Sequence, residues 1–136
     1  MHRFEFLPHT ADIRMLVEAS TIQELFEAAL EGMNAVLHPD DISDPDQQTY
    51  NLQISSLDTT SLLIDFLSDV LTTEYERKTI FNFIEIHQLT EKNIEAGLLG
   101  SKIKHFAEDI KAVTYHEANV HQNAKGNWET VVIFDI

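Results

Sequence analysis

Cysteine is missing from all 136 residues, which removes disulfide frameworks, thiolate zinc sites and cysteine nucleophiles together. Proline and glycine are scarce, at three and four residues, so the composition is that of a globular chain and not of a disordered or fibrous one. Positive charge is scarce too: nine Lys and Arg against 23 Asp and Glu leave a formal charge of −14. Such a chain repels a phosphate backbone and lacks the counterion release that drives nucleic-acid affinity, which argues against tight direct RNA binding. No apolar run reaches the length of about 18 residues that a membrane span needs. Met1-His2-Arg3-Phe4-Glu5 carries no apolar run behind positive charge, so it does not read as a signal peptide. A soluble cytoplasmic protein is expected. A Gly-rich phosphate loop, a Gly-x-Ser-x-Gly elbow and carboxylates paired at helical spacing beside a histidine base are all wanting, which leaves enzymatic chemistry little to stand on.

What is present is a patterned chain of single-domain size, residues 1–136, with 43% hydrophobic residues. Arg3 to Leu7 reads as a strand, and after a polar turn at Pro8-His9-Thr10-Ala11-Asp12 the chain alternates again through Ile13, Met15, Val17 and Ala19. Thr21 and Glu24 form a capping box ahead of Ile22, Leu25, Phe26, Ala29, Met33, Val36 and Leu37 at helical spacing. Pro39 ends that helix near His38. An acidic loop follows, then a strand at Tyr50, Leu52 and Ile54. Asp58 caps a second helix, whose apolar face runs through Leu62, Leu63, Phe66, Leu67, Val70 and Leu71 to about Glu76. The remainder reads as strands at Ile80–Leu89, with a bulge at Asn82, then Asn93–Leu99, Ile110–His121 and Trp128–Asp135. The last two pair across the glycine-containing loop 123–127, and Gly100 to Asp109 reads as an exposed loop. The fold class is α+β, mostly antiparallel sheet with two main helices.

Four aspartates crowd the seven residues from Asp40 to Asp46, without the glycine turn or closing glutamate of an EF-hand loop, so they read as a solvated loop. His116 and His121 stand an odd number of residues apart on one expected strand and so point to opposite faces. His9 shares the turn with Asp12, where turn hydrogen bonding is the plain alternative to metal binding. Asp12 taken alone is an Asx-type turn residue, and Asp135 taken alone stands at a fraying end. The patterning of the last strand through Phe134 argues that this end is tied into a sheet. If the two segments meet, Asp12, Asp135 and the terminal carboxylate of Ile136 supply three hard anionic oxygen groups. These repel one another unless a divalent cation neutralises them. All-oxygen ligation favours calcium, with magnesium or manganese as alternatives.

His9-Thr10-Ala11-Asp12 before a strand, Glu24-Leu25-Phe26 in the first helix, Leu62 to Leu71 in the second, Lys111-Ala112-Val113-Thr114-Tyr115-His116 and the terminal Asp135-Ile136 together make the chain resemble the archease family over essentially its whole length. The resemblance implies an archease-like α+β fold and an activator of a GTP-dependent RNA ligase of the RtcB type. The activator promotes the ligase's guanylylation and multiple turnover in tRNA splicing or RNA repair, and the partner does the chemistry. It also implies a metal held by Asp12, Asp135 and Ile136. An acidic helper suits a basic ligase site built for phosphates. Pro8, where many members carry an acidic residue, and Ser101, where many carry glutamate, depart from the family without replacing an implied ligand. Lys111 and His116 belong to the family run with no role assigned. Two other readings stay open: a chaperone-like modulator of another RNA-processing enzyme, and a carboxylate-metal phosphoesterase.

Overall fold

Phe4 and the row Met15, Val17 and Ala19 put apolar side chains on one face of two neighbouring strands, β1 (His2–Leu7) and β2 (Ile13–Ala19), which pair antiparallel from His2↔Ala19 to Leu7↔Arg14. The structure is a computed structural model that describes residues 1–7, 12–37 and 42–136, and the backbone alone for 42–46. Helix α1 (Ile22–Leu37) follows, opened by the Thr21 hydroxyl, which accepts the Glu24 N–H at 3.1 Å. Only half of the expected capping box forms. The Glu24 carboxylate accepts instead from the Ser20 hydroxyl at 2.6 Å and the Met1 ammonium at 3.3 Å, because the chain start lies beside the helix entry. Gly32 lets α1 sit close on the strands: a Cβ there would stand 2.2 Å from the Met15 sulfur.

Strand β3 (Ile42–Ser55) leads to α2 (Thr59–Arg77), where Asp58 accepts the Ser61 N–H at 2.7 Å as the N-cap expected of it. Then come β4 (Thr79–Leu89), β5 (Asn93–Ile103), β6 (Ala112–Thr114), β7 (His121–Gln122) and β8 (Trp128–Asp135). Among the described residues the strands form two antiparallel sheets, one ordered β1-β2-β8-β6 with β7 also on β8, the other β3-β5-β4. Helix α1 packs on β1, β2 and β8 and reaches β4, while α2 packs on β3, β4 and β5 and touches β6, so each helix bridges both sheets. One apolar cluster results, in which Phe26 of α1 meets Phe66 of α2 at 5.5 Å between ring centroids. The expected α+β class, with two helices and mostly antiparallel sheet, is what forms.

Four expectations need correction. Gly100–Ile103 is not loop but the end of β5, paired with β3 throughout and with β4 at Ser101 and Lys102. Its solvent-facing Lys102 and half-buried Ser101 mask buried Gly100 and Ile103, and a Cβ on Gly100 would come within 1.9 Å of the Ile80 carbonyl oxygen. The acidic loop is likewise partly strand: Asp44 to Asp46 lie in β3, with register shifts between Ile42 and Gln47, whereas Asp40 and Asp41 fall outside the described residues. The segment Ile110–His121 is not one strand. Its first part pairs Thr114 with Ile133, but β7 takes the rest of that β8 edge, His121 with Glu129, so the chain spends seven residues where β8 spends four. The excess loops out at Tyr115–Ala118, with Glu117 left-handed at φ 63°. His116 and His121 therefore do not share a strand, and the expectation that they face opposite ways along one has no basis. The expected bulge at Asn82 is present, since pairing with β5 lapses between Ile80 and Phe83.

Two buried carboxylates hold this frame by opposite means. Glu18, 2% exposed, accepts from Asn127, Asn123 and Arg3, and these hydrogen bonds, in that order of weight, bring its pKa down to about 2. The 123–127 hairpin loop is thereby pinned to β2. Glu74 has no exposed surface and accepts the N–H of Phe81 at 3.0 Å, a donor that the β4 bulge leaves without a strand partner. Burial pushes its carboxyl up to about 8 from the ordinary 4.5, against the opposing pull of that hydrogen bond. The folded state thus holds this proton more tightly than the unfolded chain, and stability falls as pH rises from about 4.5 through about 8. Glu74→Gln keeps the acceptor without the charge and is expected to raise Tm by about 5 °C or more at pH 8. The gain should fade toward pH 4.5. Equal Tm values at pH 8, measured by circular dichroism, would show that the buried carboxyl is not neutral.

Candidate metal centre

The β2–β8 ladder decides where the sequence-predicted ligands stand. It runs from Ala19↔Trp128 to Ile13↔Phe134, and one residue further along each strand come Asp12 and Asp135. Ile13↔Phe134 is the last pair, so the two aspartates lie at the same end of the sheet, each one residue beyond it. Both are exposed. Alternation places Asp135 on the face of β8 turned away from buried Val132 and Phe134, while Asp12 directly precedes β2 at the same end of the sheet. On the other side of β8, Ala112 pairs with Asp135 and the Lys111 N–H donates to the Asp135 carbonyl at 2.7 Å. Asp135 is thus held from the β6 side. Ile136 follows with its side chain half-buried against the core, which ties down the residue whose carboxylate is the third expected ligand. His9 lies outside the described residues.

Like charges on neighbouring strands destabilise a sheet, and the neighbourhood does little to offset these. Arg14, on β2 two residues from Asp12, is committed elsewhere: its Nη2 donates to Glu117 Oε1 at 2.8 Å and its Nε to Oε2 at 3.3 Å. That pairing holds the Glu117 carboxyl below its ordinary range and raises the guanidinium. Among the described residues no basic side chain forms an ion pair with Asp12 or Asp135. The donor set is of hard, anionic oxygens at one end of a sheet, which suits a divalent cation of the calcium, magnesium or manganese kind and not a soft one. Among the described residues no three His, Asp or Glu side chains gather around one point. Among the described residues a site at this corner would therefore have two side chains, with further ligands to come from elsewhere.

The Arg14–Glu117 pair at this corner escaped sequence reasoning. Arg14 was legible as a near neighbour of Asp12, but its partner is 103 residues away in a turn that no periodicity announces. By tying that turn to β2, the pair also fixes the segment carrying Tyr115 and His116.

Residues 4–136 match the Archease protein family (MTH1598/TM1083). The chain belongs to the archease family. Relatives include the protein archease of Methanosarcina mazei, 32% identical over 98% of this chain and 96% of its own length, and that of Pyrococcus abyssi, 28% identical over the full length of both. Among solved structures, Methanobacterium thermoautotrophicum protein 1598 superposes with a TM-score of 0.73 at 23% identity, covering 98% of each chain. An archease of Thermotoga maritima, described as a possible chaperone, does so with 0.66 at 24%, over 96% of this chain and 94% of its own. These two show that the fold is the archease fold.

If the Asp12–Asp135 pair is a site of unrelieved repulsion, removing one charge must help the metal-free protein. In the presence of a chelator, Asp135→Asn is expected to melt no lower than the native chain and up to about 2 °C higher. Added calcium should then stabilise the native chain and not the variant. A variant that melts several degrees lower in chelator would mean that Asp135 makes a stabilising contact instead.

Proposed function

We propose that this archease-family chain is a metal-binding activator of a GTP-dependent RNA ligase of the RtcB type, acting in tRNA splicing or RNA repair, with Asp12, Asp135 and the terminal carboxylate of Ile136 as the metal's ligands. Calcium is the first choice of ion, with magnesium or manganese next. The observation that supports the reading is the β2–β8 register, whose last pair, Ile13↔Phe134, adjoins the aspartate of the His-Thr-Ala-Asp motif on one strand and the penultimate aspartate on the other. The bound ion supplies positive charge at an otherwise acidic corner. The chain's own residues orient it: Phe134 and Ile136 anchor the end of β8 in the core, and the Lys111 N–H holds the Asp135 backbone in line.

The partner keeps the chemistry in this reading, and the charge of −14 directs the chain to a cationic protein surface in place of RNA itself. The description of the Thermotoga relative as a possible chaperone favours a second reading, a chaperone-like modulator of another RNA-processing enzyme in which the metal is structural.

The deciding experiment is multiple-turnover RNA joining by the cognate RtcB-type ligase, with and without this protein. Stimulation is expected with the native chain and a loss of at least about 10-fold with Asp12→Ala or Asp135→Ala, the lower end of what disturbing even the outer partners of a metal site costs. Absence of stimulation by the native chain overturns the activator reading. A short C-terminal extension tests Ile136 separately. It leaves every side chain in place yet converts the terminal carboxylate to an amide, so it is expected to weaken metal binding and activation together.

A further inference from the structure

The second sheet turns Leu52, Ile94, Ala96 and Leu98 into the core. Alternation leaves its other face outward, and the register sets the rows on that face: Phe83 with Leu99 and Thr49, then Glu85 with Gly97 and Asn51. In a chain of formal charge −14 this stretch is poor in charge. β3 gives it Thr49, Asn51 and Gln53, all exposed and neutral. From Phe83 to His87 and from Glu95 to Leu99 its acidic groups are Glu85 and Glu95, and His87 Nδ1 stands 4.0 Å from Glu85 Oε1. Phe83 is 56% exposed, a large ring left in water beside half-buried Leu99. One strand across and two residues along, Gly97 offers no side chain. A Cβ there would meet nothing nearer than the tips of Asn51 at 3.2 Å and His87 at 3.3 Å. Beside it opens a depression of about 350 Å³, bordered by Asn51, Gln53, His87 and Glu95.

From this arrangement we infer that the outer face of the β3-β5-β4 sheet is where two copies of the chain meet, with Phe83 of each copy seated over Gly97 of the other. In a two-fold contact residue i meets j and j meets i, so a projection and a hollow on one face complement themselves about an axis between them. Phe83 and Gly97 stand diagonally on neighbouring strands, about 7–8 Å apart, so a single axis serves both contacts. Charge favours the same occupant. Two chains of −14 repel least through the face poorest in charge, whereas a cationic partner is drawn to the carboxylate-rich surfaces elsewhere. Size sets the strength. Three strands about 4.8 Å apart, over about seven residues each, present roughly 400 Å² per copy, about half of a standard interface. The pair is therefore transient, with a Kd on the order of 100 μM. This face lies on the sheet that does not carry Asp12 and Asp135, and the inference is independent of both the metal and the ligase.

The test is sedimentation equilibrium of the native chain in chelator, from about 10 μM to about 1 mM. The mean mass is expected to rise from 15.6 kDa toward twice that value. Association should strengthen between about 0.05 M and about 0.3 M salt, because screening relieves repulsion between like-charged copies. On the same native chain the amides of Phe83, Gly97 and Asn51 are expected to shift together with concentration. Phe83→Ser, at an exposed side chain, should keep the native Tm and weaken association at least about tenfold. Gly97→Val, which fills the hollow with a residue suited to a strand, should weaken it by a similar factor. A chain still monomeric at the highest concentration and salt, association that weakens as salt rises, concentration-dependent shifts confined to another surface, or dimers formed equally well by Phe83→Ser would each overturn the assignment.

Discussion

The antiparallel ladder between β2 and β8 is the contact on which the rest of this structure depends. It joins the first part of the chain to the last through seven successive residue pairs, from Ile13↔Phe134 to Ala19↔Trp128. Met15, Val17, Val132 and Phe134, all fully buried, seal its inner face against the core, so register is bound to burial. A slip by one residue would turn every one of these side chains to the opposite face. The same constraint puts Asp12 and Asp135 at one end of the ladder, each a residue beyond its last pair. The corner therefore inherits its precision from the core and not from any local turn.

Around that ladder the fold spends its polar groups sparingly and with distinct purposes. Glu18 anchors the hairpin loop beside β8, ionised among Asn127, Asn123 and Arg3. Glu74 and Asn34 reach from α2 and α1 to the N–H and the C=O of Phe81, standing in for the strand partner that the bulge removes. The second sheet is thus locked to both helices at one residue. On the outer face the Arg14–Glu117 pair ties the turn after β6 to β2, and its cost is that Arg14 no longer screens the aspartates nearby.

The family assignment and the chemistry rest on different supports. A match over residues 4–136 and relatives of near-equal length establish the archease family and its fold. The ligase and the RNA process are proposals that rest on the family resemblance, and the metal is a proposal that rests on that resemblance together with the hard oxygens available at one corner.

Sequence periodicity by itself determined the elements whose burial is one-sided and continuous. Alternation in Ile13–Ala19 and Trp128–Asp135, helical spacing from Ile22 and from Asp58, and the turn at Gly126 were all legible because each is fixed by neighbours a few residues away. Periodicity misjudged Gly100–Ile103, where polar Ser101 and Lys102 outweighed two buried neighbours, and Ile110–His121, whose strand is cut short by competition with β7 for one edge of β8. The residue types of the candidate metal site were likewise in the sequence, and the family resemblance chose among them. That Asp12 and Asp135 lie at one end of the same sheet, that Arg14 is drawn away to Glu117, and that Asn34 bonds the Phe81 carbonyl were decided only by tertiary structure. Each depends on partners dozens of residues apart, brought together because burying the two sheets' inner faces leaves one register and one packing that satisfy them all.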